Sequence, residues 1–140
     1  MKQGFVKVAS ATPRIRVADP VYNAQAKEAA EHGAKIVVFP ELCITGYTCN
    51  DLFLQELLLE KAKEALLTIA EETGQLETLF LVGLPVDKDG RLYNVAAVLY
   101  RGRILGMIPK KNIPMYAEFY EGRHFTPGEE TVTEYRLGKQ

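Results

Sequence analysis

The sequence contains few cysteines, no surplus of basic charge and no long hydrophobic run. Two cysteines among 140 residues are too few for a disulfide scaffold, and we expect reduced thiols. Seventeen Lys and Arg stand against 18 Asp and Glu, and this balance argues against a nucleic-acid-binding protein. The longest strongly apolar run, Leu79–Val86, is far shorter than the roughly 18–20 residues that a membrane helix needs.

Signals for targeting, nucleotide binding and metal binding are equally scarce. Lys7 interrupts the apolar start of the chain before a signal-peptide stretch can form, so we expect a cytoplasmic protein that does not contact membranes. No glycine-rich phosphate-binding loop occurs. Cys43 and Cys49, with only His32 and His124 elsewhere, do not have the spacing of a zinc site. The sequence therefore predicts no cofactor and no metal in this chain.

Apolar periodicity predicts an α/β domain with the order β-α-β-α-β-β-β. Short β-branched runs predict strands at Gly4–Ser10, Lys35–Phe39, Leu79–Leu84, Arg91–Tyr100 and Arg103–Ile108. Helical spacing predicts one helix from Asp19-Pro20 to Gly33 and a short turn plus a longer helix within Asp51–Thr73. Strands that alternate with helices become parallel neighbours, and the trailing hairpins add antiparallel strands, so we expect a mixed sheet. Pro109–Gly128 is predicted as a long structured loop and Thr131–Arg136 as a final strand.

Three places carry residue types suited to chemistry. Glu41 follows a buried strand, where ligands of open α/β sheets bind, and a partly desolvated carboxylate can act as a general base. Lys110 follows a later strand and could stabilise an oxyanion or pair with Glu41. The segment Tyr116–Phe125 combines carboxylates, Arg, His and aromatics. The residues alone leave the alternatives open: a solvated glutamate, a solvated lysine and a loop held by its aromatics. Cys43 and Cys49 have no cationic neighbour and are interpreted as structural.

An ordered set of motifs carries a family resemblance. These motifs are the Ala-rich helix leading into Gly33–Leu42, then Leu81–Pro85, Tyr93–Val98, Gly102–Gly106 and Lys110. Together they resemble the nitrilase or carbon–nitrogen hydrolase superfamily. Two longer stretches, Phe39–Phe53 and Pro109–Glu121, look like the glutaminase domains of glutamine-dependent NAD synthetases. Met115 departs from that pattern, because those domains usually have Asn before the tyrosine.

The resemblance implies an αββα sandwich with a Glu–Lys–Cys triad. Glu41 matches the general base and Lys110 the oxyanion-stabilising lysine, so we expect the two within salt-bridge reach. A second glutamate would position the lysine; Glu121 fits better than Glu118. Tyr47 and Tyr116 would lie on the substrate side.

The nucleophilic cysteine of the family follows the lysine, and this chain has no cysteine after Cys49. Residues 1–140 therefore resemble a partial glutamine amidotransferase domain, the N-terminal half of the sandwich, truncated before the nucleophile. We expect such a fragment to be inactive by itself.

The resemblance further implies that the intact enzyme hydrolyses glutamine. The ammonia would pass to a downstream synthetase domain that binds ATP and Mg and amidates deamido-NAD. Two alternatives stay open: a stand-alone amidase or nitrilase of the superfamily, and a non-catalytic half-domain that acts in assembly. Because half a sandwich exposes apolar surface, we expect self-association into a homo-oligomer.

Overall fold

The computed structural model describes residues 4–24 and 33–137, and its sheet confirms the predicted order of elements. The elements are β1 (Val8–Ser10), α1 (Pro20–Asn23), β2 (Ile36–Val38), α2 (Glu56–Glu72), β3 (Leu79–Lys88), β4 (Arg91–Tyr100) and β5 (Arg103–Pro109), with 3-10 turns at Asn50–Leu54 and Glu121–Arg123. The five strands lie side by side in sequence order. The pairs β1–β2 and β2–β3 are parallel, whereas β3–β4 and β4–β5 are antiparallel. The sheet is therefore mixed, as predicted.

Two tight turns connect the last three strands. In the first turn Asp89 and Gly90 have φ values of 51° and 74°, and in the second Arg101 and Gly102 have 48° and 76°. Two consecutive positive φ values belong to the type I′ turn, whose twist matches that of the flanking strands. Glycine adopts this region without steric cost, so the Asp-Gly and Arg-Gly pairs suit both turns. The β3–β4 pairing is continuous, whereas the β4–β5 pairing shifts between Val98 and Leu99.

The hydrophobic core lies on one face of the sheet, under α2. The apolar residues of α2 recur at helical spacing and are buried against alternate residues of β3 and β4; the set includes Ala62, Leu66, Ile69, Phe80, Val82, Leu84, Ala97 and Leu99. The opposite face has no such cover in the described chain. There Val38 and Ile108 are 42% and 60% exposed. Among residues 4–24 and 33–137, helix therefore covers one side of the sheet only.

Two predicted elements need comment. The final strand predicted at Thr131–Arg136 is wrong, since this segment pairs with no strand of the described chain. The alternation of apolar and polar residues in this segment comes from side-chain packing and not from strand pairing. Val132 is fully exposed, while Tyr135 and Leu137 contact the core. The first helix begins as predicted, with the Asp19 carboxylate accepting a hydrogen bond from the Tyr22 N–H at 3.1 Å. Its predicted continuation, with His32, lies outside the described residues.

The strand limits shift by a few residues. β1 begins at Val8 rather than at Gly4, and β3 continues to Lys88, four residues beyond the predicted end. The predicted turn and helix within Asp51–Thr73 are confirmed. Within the residues described, no helix combines the length and apolarity needed to cross a bilayer.

Candidate active site

A tight turn after β2 positions Glu41. Leu42 has a φ of 52°, and its carbonyl accepts hydrogen bonds from the N–H groups of Thr45 and Gly46 at 3.2 and 2.8 Å. The turn packs directly on Gly83 of β3, where a Cβ atom would lie 2.4 Å from the Leu42 nitrogen. Only glycine therefore permits this contact. The turn places Glu41 just beyond the end of β2, next to β3.

The next two strands of the sheet, β4 and β5, bring an asparagine and a lysine close to Glu41. Asn94 of β4 is 3% exposed, and its carbonyl accepts a hydrogen bond from the Lys110 N–H at 2.8 Å, just after the end of β5. The Asn94 side chain donates to Glu41 Oε1 at 2.5 Å. Main-chain hydrogen bonding therefore fixes the backbone of Asn94 and Lys110 independently of the charges on their neighbours.

The Lys110 ammonium lies between two carboxylates. Its Nζ atom is 2.6 Å from Glu41 Oε1, and 2.9 and 3.0 Å from Glu121 Oε1 and Oε2. The predicted proximity of Glu41 and Lys110 is confirmed, although 69 residues separate them in the chain. Partial burial alone would lower the pKa of Lys110, but the hydrogen bonds and charges of the two glutamates outweigh burial and raise it. The lysine is therefore a protonated donor at neutral pH.

The second glutamate is the buried member of the cluster. Glu121 is 6% exposed and begins the 3-10 turn Glu121–Arg123, while its carbonyl accepts from the N–H groups of His124 and Phe125 at 3.0 and 2.8 Å. Phe125 is buried against Phe53 with ring centroids 5.0 Å apart. An aromatic anchor therefore holds the loop, and the same loop delivers a carboxylate to the lysine. Glu118, the alternative, is exposed.

The two tyrosines occupy different environments. The Tyr47 hydroxyl donates to Glu121 Oε1 at 2.6 Å. Partial burial and, after it, this hydrogen bond raise the pKa of Tyr47 above its usual value, so the phenol stays protonated. Tyr116 lies away from the cluster: it is 69% exposed and packs edge-to-face on Phe119 at 5.5 Å. The structure therefore brings Glu41, Lys110, Glu121 and Tyr47 together and leaves Tyr116 at the surface.

Sequence reasoning assigned no role to two residues of the site, Asn94 and Gly83. Asn94 did carry a signal, because a polar amide interrupts an otherwise apolar β run. Gly83 also interrupts a strand, and a glycine in a strand often marks a close approach of another backbone. Neither signal identifies the partner that the amide or the backbone meets.

Both cysteines are buried and hydrogen-bonded to backbone. The Cys43 thiol contacts the Gly83 carbonyl at 3.5 Å, and the Cys49 thiol contacts the Thr45 carbonyl at 3.1 Å. Burial raises the pKa of Cys43 to about 11 and also raises that of Cys49. A thiol that remains protonated is a poor nucleophile. The structural interpretation of these cysteines fits their surroundings.

A cavity of about 340 Å³ opens beside the cluster on the uncovered face of the sheet. Glu41, Asn94 and Lys110 form its polar end, while Val38 and Ile108 belong to its apolar wall. A carboxylate, an ammonium and an apolar wall suit a small polar substrate. Within residues 4–24 and 33–137, no group of three or more His, Cys, Asp or Glu side chains has the geometry of a metal site.

The carbon–nitrogen hydrolase family model matches residues 7–139, nearly the whole chain. The chain belongs to the carbon–nitrogen hydrolase family. A glutamine-dependent NAD(+) synthetase from Mycobacterium tuberculosis is 39% identical over 142 aligned residues, which cover 98% of this chain and 21% of that protein. The chain spans about a fifth of the length of the curated relatives it matches.

Solved structures agree with this family membership. A glutamine-dependent NAD(+) synthetase from Cytophaga hutchinsonii superposes with a TM-score of 0.86 at 29% identity, covering 96% of this chain and 24% of that one. An amidase from Nesterenkonia sp. shares the fold with a TM-score of 0.71 at 24% identity, covering 93% of this chain and 51% of that one. The chain thus has the nitrilase-like α/β fold, and it spans about half the length of that amidase.

Proposed function

We propose that this chain is the N-terminal part of a glutamine-hydrolysing domain whose ammonia is used to amidate deamido-NAD. The observation that carries the proposal is the Glu41–Lys110–Glu121 cluster at the edge of a nitrilase-like sheet. The similarity to glutamine-dependent NAD synthetases over almost the full chain supports the substrate. In this proposal glutamine is the ligand, a downstream synthetase domain is the partner, and ATP and Mg belong to that domain.

Each residue of the cluster has a role in amide hydrolysis. Glu41 takes the proton of a cysteine thiol that a later part of the protein supplies, and the thiolate attacks the side-chain amide carbon of glutamine. The Lys110 ammonium, held protonated by its two carboxylates, stabilises the oxyanion that forms. Glu41 then gives its proton to the departing ammonia and activates the water that cleaves the thioester. Glu121 holds the lysine, and Tyr47 holds Glu121.

The substrate side of the site is also part of the proposal. Tyr47 lies at the cluster and would contact glutamine directly, since it is 39% exposed. Tyr116, which is largely exposed on this chain, would reach substrate only if the remaining half of the sandwich closes over its loop. The uncovered face of the sheet is the surface on which that half would pack.

The coding region beyond codon 140 gives the first test. We expect a cysteine codon several tens of residues downstream, followed by a Ser-Gly-Gly-x-Asp-Ser loop of an ATP-dependent synthetase. The longer protein should release ammonia from glutamine, and Glu41→Gln should abolish that release. A stop codon at position 141 would contradict the proposal and favour a non-catalytic assembly role.

The 140-residue chain alone should release no ammonia from glutamine, because neither buried cysteine can act as the nucleophile. Release above the blank that Glu41→Ala abolishes would contradict this expectation. A second candidate is a stand-alone amidase, favoured by the shared fold with the Nesterenkonia amidase. A downstream cysteine without a synthetase loop would select it.

A further inference from the structure

Asn94 contacts all three charged residues of the cluster: its side-chain amide reaches the two glutamates, and its main-chain carbonyl accepts from the main-chain N–H of Lys110. Asn94 Nδ2 lies 2.5 Å from Glu41 Oε1 and 3.4 Å from Glu121 Oε2, and the Asn94 carbonyl accepts the Lys110 N–H at 2.8 Å. Asn94 pairs with Pro85 of β3, and on its other side its main-chain carbonyl accepts from the N–H of Lys110, just beyond β5, so its backbone is restrained from both sides. A side chain that is 3% exposed on a rigid strand is well suited to orient mobile partners.

The contacts distinguish the two oxygens of Glu41. Lys110 Nζ and Asn94 Nδ2 both donate to Oε1, at 2.6 and 2.5 Å. In the described part of the chain, Oε2 accepts no hydrogen bond. A carboxylate held through one oxygen cannot rotate freely, so the other oxygen has a defined direction. Glu41 itself lines the cavity, together with Asn94 and Lys110.

We propose that Asn94 is a positioning residue that, together with Lys110, holds Oε1 of Glu41 so that Oε2 is the oxygen that takes and returns the proton. The inference rests on the proposed function, since it assigns the basic oxygen of that reaction. Lys110 alone could not do this, because its flexible side chain is shared with Glu121. The amide adds a second, rigid donor on the same oxygen.

A second buried asparagine supplies the control. Asn23 is 8% exposed, and its amide donates to the main-chain carbonyls of Arg16 and Ile44 at 2.7 and 2.9 Å rather than to a charged residue of the cluster. Asn23→Ala removes the same side-chain amide and leaves main-chain carbonyls, instead of carboxylates, without that donor. Any effect of Asn94→Ala that Asn23→Ala shares is therefore a loss of stability, not of positioning.

The first measurement uses the 140-residue chain and needs no catalysis. Three-bond NMR couplings report the rotamers of the Glu41 side chain. We expect one rotamer in the wild type and in Asn23→Ala, and rotamer averaging in Asn94→Ala and in the isosteric Asn94→Asp. A single, unchanged Glu41 rotamer in folded Asn94→Asp would overturn the inference whatever the reaction of the parent enzyme.

The second measurement uses the longer protein with glutamine. We expect Asn94→Ala to lower kcat about a hundredfold, as a misplaced catalytic group does, with KM changed less than about threefold. Asn94→Asp keeps the shape but loses the donor, so it should be at least as slow at neutral pH. Its deficit should shrink in acid, where the introduced carboxyl gains an O–H that can donate to Glu41.

The outcomes separate the two proposals. A wild-type protein that hydrolyses no glutamine contradicts the proposed function but not the NMR result. Wild-type activity in Asn94→Asp at neutral pH, or an equal loss in Asn23→Ala, shows that Asn94 only fills space and overturns its positioning role.

Discussion

At the scale of single residues, the charge balance of the cluster decides what each substitution does. One ammonium faces two carboxylates, and Glu121 is only 6% exposed. A buried charge that loses its partner keeps its desolvation cost and gains no compensating attraction. The lysine is therefore expected to matter for stability as well as for chemistry.

Lys110→Met should lower the free energy of unfolding by about 2–3 kcal/mol, slightly less than for a fully buried pair, because Lys110 keeps some exposure. Adding Glu121→Gln to Lys110→Met should restore part of the loss, since the unpaired charge disappears. Urea unfolding measures both changes. Lys111→Met is the control, because Lys111 pairs with exposed Glu130 at the surface and should change stability by less than about 0.5 kcal/mol.

Cys43 provides a prediction about pH. Burial raises its pKa from 9.0 to about 11, so the folded state keeps the proton more tightly than the unfolded state. The corresponding stability is fully present below pH 9.0 and is lost as pH rises towards about 11. At pH 8 the two buried cysteines of the native chain should react with thiol reagents only as fast as the chain unfolds around them. Unfolding in urea should make both thiols reactive. Rapid stoichiometric labelling of the folded chain would contradict this prediction.

At the scale of elements, regular segments were predictable and the contacts between them were not. Local periodicity identified α2 and β4, and the Asp-Gly signal identified the turn after β3. The pattern at Thr131–Arg136 was misread, because apolar alternation does not distinguish a paired strand from an extended segment that packs two side chains. Glycine at position 83 was visible, but the sequence does not show which backbone fills the space of the missing Cβ.

The turn that carries Glu41 should be sensitive to one methyl group. Gly83→Ala places a Cβ 2.4 Å from the Leu42 nitrogen, so the turn must move, at a cost of about 1–3 kcal/mol. Gly106→Ala in β5 is the matched control, since nothing lies within 4 Å of its added Cβ. Thermal unfolding compares the two variants, and NMR shifts of the Lys110 side chain report whether Glu41 has moved. Equal stabilities of both variants would refute the close approach.

At the scale of the whole molecule, the described residues place helix over one face of the sheet only. Val38 and Ile108 lie exposed on the uncovered face, and the cluster stands at its edge. The family resemblance, rather than periodicity, predicted that Glu41 and Lys110 would meet. Spacing along a chain carries no information about two residues 69 positions apart until the strand order is known.

The uncovered face should make the isolated chain associate. We expect the mass measured by sedimentation to rise with concentration, and Ile108→Lys to suppress the rise by placing a charge in the apolar surface. Leu57→Lys is the control, because Leu57 is 65% exposed on α2, which covers the other face. A constant monomer mass at all concentrations would exclude association through this face.

The strand connections have a consequence for the order of folding. β3, β4 and β5 are joined by two-residue turns, so their pairing closes only short loops, whereas β2 must find β3 across 43 residues, from Ile36 to Leu79. Short loops close first, because closing a short loop costs less conformational entropy than closing a long one, and that cost is incurred before the distant contacts stabilise the chain. The meander should therefore form early and the parallel strands should join late. Lys110 is then in place before Glu41 arrives, and their contact marks the completion of folding.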